Sequence, residues 1–413
     1  MLGSSNFASI NQQLKIGMKH LIIAAFLIST FQASAQQLDS LSNKYQNAAE
    51  KLLATDGKLV IGGYGEVHYN QPFSSTVRNN GTLDVHRVVM LMGYNFNSRT
   101  QFVSELEFEH VGEVFVEQAF IQHRINNFLN FRAGLMLVPM GIVNEYHEPT
   151  TFNGVERPLV DNKLFPTTWR EIGFGFTGNI LEASLKYQAY VVNGFNGYKD
   201  GVASLNGKDG FRAGRQKGAE SFISSPNFTG KIDYYGIRGL NLGLSGYVGN
   251  TQSTLYNGLD KSNSAAIAKA DSSVATIAMV GVDARYNLGG LQMRGQFYYS
   301  DIANTEQYNA LTKKDLGSAM MGYYVEAGYN VFRFCSKTKT ELIPFVRYEN
   351  YNTHFATSGT LVKKKAYNNN VITSGLTYKL AKGVVLKADI QFVKSEAAIE
   401  YSKAFNAGVG VMF

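Results

Sequence analysis

Apolar and polar residues alternate over most of this chain, in segments of about ten residues or more. In VVLKADIQF, Val384, Leu386 and Ala388 share one face, while Lys387 and Asp389 share the other. Successive side chains of a β-strand point to opposite faces, so each segment predicts a strand with one apolar and one polar face. Sixteen segments carry the pattern, at residues 58–70, 83–96, 100–111, 113–124, 128–138, 170–179, 182–193, 226–236, 239–250, 273–288, 290–302, 319–332, 339–352, 369–381, 383–395 and 402–413.

Segment 113–124 fits the alternation least well. Glu117 lies awkwardly in either register of GEVFVEQAFIQ. A β-bulge inserts one extra residue into a strand, and we therefore expect a bulge in this segment.

The connections between segments alternate between short and long, except for the short link near Gly112 and the slightly long one at 333–338. Turns such as 97–99 and 126–127 are very short, whereas 139–169 and 194–225 are long. Barrels of outer membranes have short periplasmic turns and long external loops, whereas both ends of a soluble sandwich are in water. Each segment also reaches the roughly 9–11 residues that a tilted strand needs to cross a bilayer. The pattern therefore favours a membrane barrel over a soluble all-β protein.

A sheet in lipid has to close on itself. Each unpaired backbone group at an open edge would cost several kcal/mol in hydrocarbon, and closure removes both edges. The last segment, KAFNAGVGVMF, should therefore pair with the first, its odd residues facing lipid and its even residues facing the lumen. Phe413 would then lie in an interfacial aromatic girdle. The sequence predicts an all-β fold, a transmembrane antiparallel β-barrel of 16 strands.

The N-terminal sequence predicts export. MKHLIIAAFLISTFQASAQQ, which starts at Met18, has a charged residue, a short apolar run and an Ala33-Ser34-Ala35 cleavage site. The alternative is a buried N-terminal helix. We predict a protein of the outer membrane of a Gram-negative bacterium. Its parts would be an upstream extension at 1–17, a signal peptide at 18–35, a periplasmic lead-in segment at 36–57 and a transmembrane β-barrel at 58–413.

Charge and cysteine content give no sign of nucleic-acid binding or of disulfides. The formal net charge is +7, and removal of Lys15 and Lys19 with the signal peptide leaves 7 − 2 = +5. This charge is too diffuse to predict nucleic-acid binding. The single Cys335 cannot form an internal disulfide.

No metal, catalytic or cofactor site is predicted. His110 and His123, with Glu109 and Glu113, are the strongest candidates for metal ligands, but their spacing alone specifies no geometry.

A barrel of sixteen strands encloses an aqueous channel, which something must narrow to give selectivity. The best candidate is the long connection MGIVNEYHEPTTFNGVERPLVDNKLFPTTWR, residues 140–170, which follows the fifth strand. Its Pro149, Pro158 and Pro166 stiffen it and keep it out of any sheet.

The layout resembles that of trimeric porins, in which the third external loop folds inward. More specifically, PTTWREIGFGFTG at 166–178 and FRAGLMLVPMGIVNEY at 131–146 resemble porins of the phosphate-selective O and P type. The resemblance implies an inward-folded third external loop, a homotrimer that passes small solutes, and basic residues that line the eyelet for anions.

Charged residues at inward positions and in 140–170 are the candidates for pore lining and selectivity; the alternative is that they are simply solvated. Acids concentrate on the third strand and bases after the seventh, which sets a transverse field that favours polar solutes. The candidates are Arg87, Glu105, Glu107, Glu109, Arg132, Glu145, Glu148, Arg157, Lys163, Arg170, Lys186, Arg285, Arg294, Arg347, Lys379 and Lys387.

We predict a non-enzymatic porin for passive diffusion of small hydrophilic solutes, with anions such as phosphate as candidates. The expected partners are outer-membrane lipid, lipopolysaccharide near Lys363–Lys365, and the assembly machinery, because the terminal Phe413 resembles the signal that this machinery reads. The alternatives are an outer-membrane barrel enzyme and an adhesion or surface-binding protein that uses loops 194–225 and 251–272.

Overall fold

A computed structural model describes residues 47–335 and 338–413, and in this part of the chain sixteen strands form a closed antiparallel barrel. The predicted extension at 1–17, the signal peptide at 18–35 and residues 36–46 of the lead-in segment lie outside the described residues. Among the described residues, no helix is long and apolar enough to span a membrane.

Each of the sixteen predicted segments corresponds to one strand of the barrel. The strands are β1 (Leu59–Phe73), β2 (Thr82–Asn95), β3 (Thr100–Glu109), β4 (Glu113–Arg124), β5 (Asn130–Leu137), β6 (Arg170–Ile180), β7 (Leu185–Val192), β8 (Asn196–Lys199), β9 (Val202–Ala203), β10 (Asn227–Ile237), β11 (Leu240–Asn250), β12 (Gln252–Ser253), β13 (Thr276–Leu288), β14 (Leu291–Ala303), β15 (Ala319–Tyr329), β16 (Glu341–Ala356), β17 (Asn368–Ala381), β18 (Val384–Ser395) and β19 (Ser402–Met412). The α-helices are α1 (Ala48–Leu53), α2 (Ile142–Glu145), α3 (Val160–Lys163), α4 (Ser264–Asp271) and α5 (Thr305–Thr312). Strands β8, β9 and β12 form a small sheet of their own, and the other strands form the barrel.

The barrel closes where the last strand meets the first, as predicted. β19 pairs with β1 in antiparallel register, with Tyr64 opposite Met412. The amide of Phe413 donates to Gly63 O at 2.9 Å, and Gly63 N donates back to Phe413 O at 3.0 Å. Along β19, Val409 is 45% exposed on the outside, whereas Asn406 is 2% exposed on the inside.

Segment 113–124 contains the predicted bulge. Glu105 pairs with Gln118, but the next residue, Leu106, pairs with Val116, so Glu117 is the extra residue. Several predicted strand boundaries were wrong by three or four residues. β1 and β16 extend to Phe73 and Ala356, β13 begins only at Thr276, and β15 ends at Tyr329. The segment at 182–193 begins only at Leu185, because residues 181–183 form a 3₁₀-helix instead of continuing the alternation.

The two ends of the barrel differ in their connections. One end, here the short-turn end, has tight hairpins such as the one at Gly289 and Gly290, whose φ angles of 65° and 89° suit a two-residue turn that needs left-handed backbone. The other end, here the long-loop end, carries the connections 74–81, 110–112, 138–169, 193–226, 251–275, 304–318, 357–367 and 396–401.

The connection 193–226 is packed, with two of its aromatic side chains fully buried. Phe195 and Phe211 are fully buried and their rings stack with centroids 5.3 Å apart. Trp169 stacks on Phe195 with centroids 4.3 Å apart. The aromatic residues of this connection therefore pack against the end of the connection 138–169.

Candidate functional site

The connection between β5 and β6, residues 138–169, reaches walls on different sides of the lumen; it is called the inner loop below. Ile142 N donates to Gln296 Oε1 on β14 at 3.0 Å, and Val155 N donates to Asp389 Oδ2 on β18 at 2.7 Å. Thr150 lies 3.3 Å from the Met412 sulfur on β19. The loop is thus held by polar side chains that the strands point inward.

One anchor of the inner loop is a buried lysine on β10. Lys231 Nζ lies 2.9 Å from Glu145 Oε2 and 3.1 Å from Asp283 Oδ2. Gln188 Nε2 donates to the other oxygen of Glu145 at 2.5 Å. These contacts fix α2 against β7, β10 and β13.

A second anchor is Arg347 on β16, whose side chain is completely buried. Its guanidinium pairs with Glu349 at 2.8 Å and with Glu326 at 3.2 Å. It also donates to two inner-loop carbonyls, Asn153 O at 3.4 Å and Glu156 O at 3.1 Å. One cation therefore holds both the loop backbone and two wall carboxylates.

A third anchor surrounds His147. Its Nε2 lies 2.9 Å from Tyr64 Oη, 3.4 Å from Glu105 and 3.3 Å from the bulged Glu117. Arg87 Nη2 donates to the carbonyl of His147 at 2.6 Å. Burial opposes a charge on this imidazole, but the carboxylates of Glu117 and Glu105 outweigh it and raise the pKa of His147 to about 10. Glu105 of β3 and Glu117 of β4 thus hold His147 of the inner loop as an imidazolium.

Asp161 is a loop carboxylate with which no cation is paired in the described part of the chain. Gln296 Nε2 donates to its Oδ1, while its Oδ2 has no hydrogen-bond partner among the described residues. Burial raises the pKa of Asp161 to about 8. The side chain is therefore neutral at neutral pH.

Helix α1 contacts the inner loop and the wall at the short-turn end. Ala48 N donates to Glu148, and Gln101 Nε2 donates to Leu53 O at 2.9 Å. Leu52 packs so closely on Gly93 that a Cβ there would meet Leu52 Cδ2 at 2.7 Å. The described end of the predicted lead-in segment is therefore docked on the barrel.

Two cavities lie among α1, the inner loop and the wall, and Tyr146 of the inner loop lines both. The first has a volume of about 350 Å³, and its charged lining residues are Glu50, Arg99, Arg124, Arg132, Lys186 and Asp233. The second has a volume of about 270 Å³, and its charged lining residues are Lys51, Arg285, Arg294 and Lys379. Among the described residues that line the cavities, bases outnumber acids.

Two arginines of the first cavity have no carboxylate partner among the described residues. Arg124 donates to Ser98 O at 2.8 Å. Arg132 donates to Gln122 Oε1 at 2.6 Å and to Tyr190 Oη at 3.2 Å. These partners are all neutral, so the guanidinium charges act on whatever enters the cavity.

The predicted lumen residues divide into three groups. Those that line the cavities are Arg132, Lys186, Arg285, Arg294 and Lys379. Those buried where the inner loop meets the wall or α1 are Arg87, Glu105, Glu107, Glu145, Glu148, Arg170 and Arg347. The other four are Arg157, Lys163, Lys387 and Glu109. Arg157 pairs with Glu66 at 3.6 Å, and Lys163 pairs with Asp209 at 3.4 Å. Lys387 Nζ lies 3.7 Å from the Phe152 ring centre, and Glu109 lies at the long-loop end of β3.

Sequence reasoning missed three basic cavity residues, Lys51, Arg99 and Arg124. Lys51 lies on α1, in a segment that the sequence placed outside the barrel. Arg99 and Arg124 flank short turns and lie side by side, with Arg124 N donating to Arg99 O at 2.7 Å. Attention to charges next to the short turns could have found these two.

The structure is similar to those of known porins. An anion-selective porin from Comamonas acidovorans matches with a TM-score of 0.55 and 12% identity over 86% of this chain and 99% of that one. Salmonella typhi OmpF in complex with daunomycin matches with a TM-score of 0.54 and 10% identity, over 86% of this chain and 97% of that one. The trimer form of OmpT, an outer membrane protein of Vibrio cholerae, matches with a TM-score of 0.50 and 12% identity, over 86% of this chain and 100% of that one. The chain therefore has the fold of outer-membrane porins.

Sequence comparison adds a relative. No family model matches the chain. A protein of Aquifex aeolicus (strain VF5), named only as an uncharacterized protein, is 30% identical over 364 residues, which cover 83% of this chain and 77% of the relative. The chain belongs to the same family as this Aquifex protein.

Proposed function

We propose that this chain is an outer-membrane channel through which small hydrophilic anions diffuse passively. The observation that carries the proposal is the pair of arginines in the first cavity, Arg124 and Arg132, whose hydrogen bonds go to neutral groups. Basic side chains along a narrow, low-dielectric passage raise the local concentration of anions. The passage would run on either side of Tyr146.

The outer face of the barrel supports a position in lipid. On β13, Val280 and Val282 are 42% and 50% exposed, whereas Asp283 beside them is 2% exposed. β10 repeats the arrangement, with Ile232 exposed and Lys231 and Asp233 buried. Apolar side chains thus face outward and charges inward, as lipid on the outside requires.

Phosphate is the anion that we propose as the preferred solute. An arginine guanidinium binds phosphate oxygens with paired, charge-assisted hydrogen bonds. Arg99, Arg124 and Arg132 line one cavity and would meet such an ion together. The resemblance of segments 131–146 and 166–178 to phosphate-selective porins supports the same choice.

Uptake into proteoliposomes tests this function. The purified protein should admit labelled phosphate faster than a monovalent cation of similar size. Arg124→Gln and Arg132→Gln should each lower the phosphate-to-cation ratio several-fold, because each removes an unpaired charge. Lys208→Gln is the matched control, since Lys208 is an exposed residue of the long-loop end. Equal uptake of phosphate and cation by the unmodified protein would exclude the proposal.

We further propose that the chain works as a homotrimer. The match to the trimer form of OmpT and the resemblance to trimeric porins support this assembly state. Chemical crosslinking in native membranes should give a band three times the monomer mass, and a monomer band alone would contradict it.

Export, assembly and surface contacts follow from the same proposal. Cleavage of the signal peptide at 18–35 would leave a mature N-terminus at Gln36, which N-terminal sequencing can check. We propose that the assembly machinery binds the terminal Phe413, and that Lys363–Lys365 in a long loop contact lipopolysaccharide phosphates.

A further inference from the structure

Three side chains with metal-ligand chemistry meet at the long-loop end of the barrel. Asp84 and His86 lie near the start of β2, and His110 lies in the turn that follows β3. One ligand atom from each of the three side chains lies within 4.8 Å of the other two. Only His110 of this group was considered as a ligand from the sequence, and His123, considered with it, lies at the far end of β4.

The distances suit a small divalent cation. Asp84 Oδ2 lies 2.8 Å from His110 Nδ1 and 3.5 Å from His86 Nδ1. Zinc binds imidazole nitrogen and carboxylate oxygen at about 2.0–2.2 Å, which places tetrahedral donors roughly 3.3–3.5 Å apart. The Asp84 oxygen and the His86 nitrogen already have this spacing. The pair with His110 is now a hydrogen bond, which a rotation of the exposed His110 side chain would open.

Two departures from regular strand geometry bring these residues together. Glu66 pairs with Arg87 and Val67 with Val85, so His86 is the extra residue of a β-bulge. His110 and Val111 have φ angles of 50° and 67°. This left-handed region is uncommon for any residue other than glycine and is a genuine outlier for a β-branched one such as Val111. Bulges and strained turns are concentrated at functional sites, where they direct side chains.

The neighbours of the three side chains hold the site in place. The ring of His68 stacks on that of His86 with centroids 4.6 Å apart and planes 10° apart. His68 itself is held by Glu66 and Glu156, each at 3.3 Å. The backbone amide of His110 donates to His86 O at 3.4 Å. The orientation of His86 and the position of the turn are thus set by contacts other than a metal ion.

The charges around the site allow a cation. Glu109 and Glu113, on either side of the turn, act electrostatically on His110. The nearby arginines are both paired with one carboxylate, since Arg87 lies 2.6 Å and Arg157 3.6 Å from Glu66. Glu107 lies beside Arg87 and Glu156 beside His68, so three carboxylates offset the positive charge of these basic groups on the lumen side.

Water can reach the site. The side chains of His86, Asp84 and His110 are 27%, 24% and 49% exposed. A three-ligand site with two imidazoles, one carboxylate and an open position matches the preference of zinc and similar divalent transition metals.

We propose that Asp84, His86 and His110 form a binding site for a divalent transition-metal ion such as Zn²⁺ at the long-loop mouth of the barrel. The ion would replace the hydrogen bond between Asp84 and His110 and would tie the 110–112 turn to β2. It would also place two positive charges at the entrance to the lumen.

Zinc titration of the full-length, tag-free protein in detergent tests the site. Isothermal titration calorimetry should show one Zn²⁺ bound per chain, and Co²⁺ in its place should give the visible absorption of a four-coordinate ion. Asp84→Asn, His86→Ala and His110→Ala should each weaken zinc binding at least tenfold. His123→Ala is the matched control, because His123 is an exposed histidine at the short-turn end that contacts Thr100 at 2.9 Å.

Each variant is checked for folding by its heat-modifiable migration on gels, so that a lost barrel is not mistaken for a lost ligand. His110→Ala is the decisive variant, since its side chain lies in an exposed turn. The proposal is overturned if the unmodified protein binds no zinc, or if any folded ligand variant binds it as tightly as His123→Ala. Anion uptake is measured in a separate experiment. Failure of the metal-site proposal is therefore distinguished from failure of the proposed channel function.

Discussion

Replacement of Arg347 by methionine should release the inner loop from the β15–β16 wall. The change removes donors to Asn153 O and Glu156 O, and it leaves Glu326 and Glu349 buried without this cation. Loss of one partner from a buried ion pair costs about 3–5 kcal/mol. Even about 3 kcal/mol lowers the docking equilibrium of the loop by a factor of about 160.

Single-channel recording in planar bilayers can detect this release. Arg347→Met should give a larger mean conductance and more current noise than the unmodified protein, because the loop no longer stays against the wall. Arg78→Met is the matched control, since Arg78 is an exposed residue of the long-loop connection 74–81, and it should leave conductance and noise unchanged. Conductance and noise that are identical in Arg347→Met and in the unmodified protein would refute the reasoning.

Three further predictions concern other contacts. Burial raises the pKa of Asp161 to about 8, above its unfolded value, so the stability contributed by its neutral form is complete at acid pH and is lost as the pH rises through 8. Current noise should therefore increase as the pH rises from about 4 to about 8 in the unmodified protein but not in Asp161→Asn; a rise in both would contradict this. Leu52→Asp should undock α1 from Gly93 and raise the conductance, whereas the exposed Thr55→Asp should not; equal conductance in both would contradict the docking. Phe413→Ala should lower the yield of folded barrel in cells but not on refolding in detergent, because its backbone bonds to Gly63 remain; unchanged yield in cells would contradict assembly through this residue.

The barrel wall could be predicted from the sequence because each strand carries its own information. Lipid on one side and water on the other impose a period of two on every strand, and closure then fixes the partner of the last strand. Even the bulge at Glu117 was predicted, since a charged residue out of register has no other explanation in such a strand. At 181–184 the alternation of apolar and polar residues continues although the chain forms a 3₁₀-helix and a turn. The strand was therefore predicted to begin three residues too early.

The lumen was less predictable, because its contacts join residues that are far apart in the chain. Alternation places Lys231 and Arg347 inside the barrel, but it does not reveal that Glu145 and the Asn153 carbonyl come to meet them. Seven of the sixteen predicted selectivity residues are therefore buried where the inner loop meets the wall or α1. Five, including Arg132, line the cavities as the sequence indicated.

The docked helix α1 and the His–Asp cluster were also beyond the reach of the sequence. The helical spacing around Ala48 and Leu52 gave no sign that this face packs on the barrel. Asp84 and His110 are separated by a whole strand pair, and only the register of β2 with β3, together with a bulge and a strained turn, joins them.

Reversal potential in a salt gradient is the most direct test of the central claim. The purified protein in a planar bilayer, with a tenfold difference in KCl across it, should conduct. Its reversal potential should be shifted from zero toward the equilibrium potential of chloride. Arg124→Gln combined with Arg132→Gln should move that potential toward zero. A membrane that conducts no current, or a channel that reverses on the potassium side, would contradict the account.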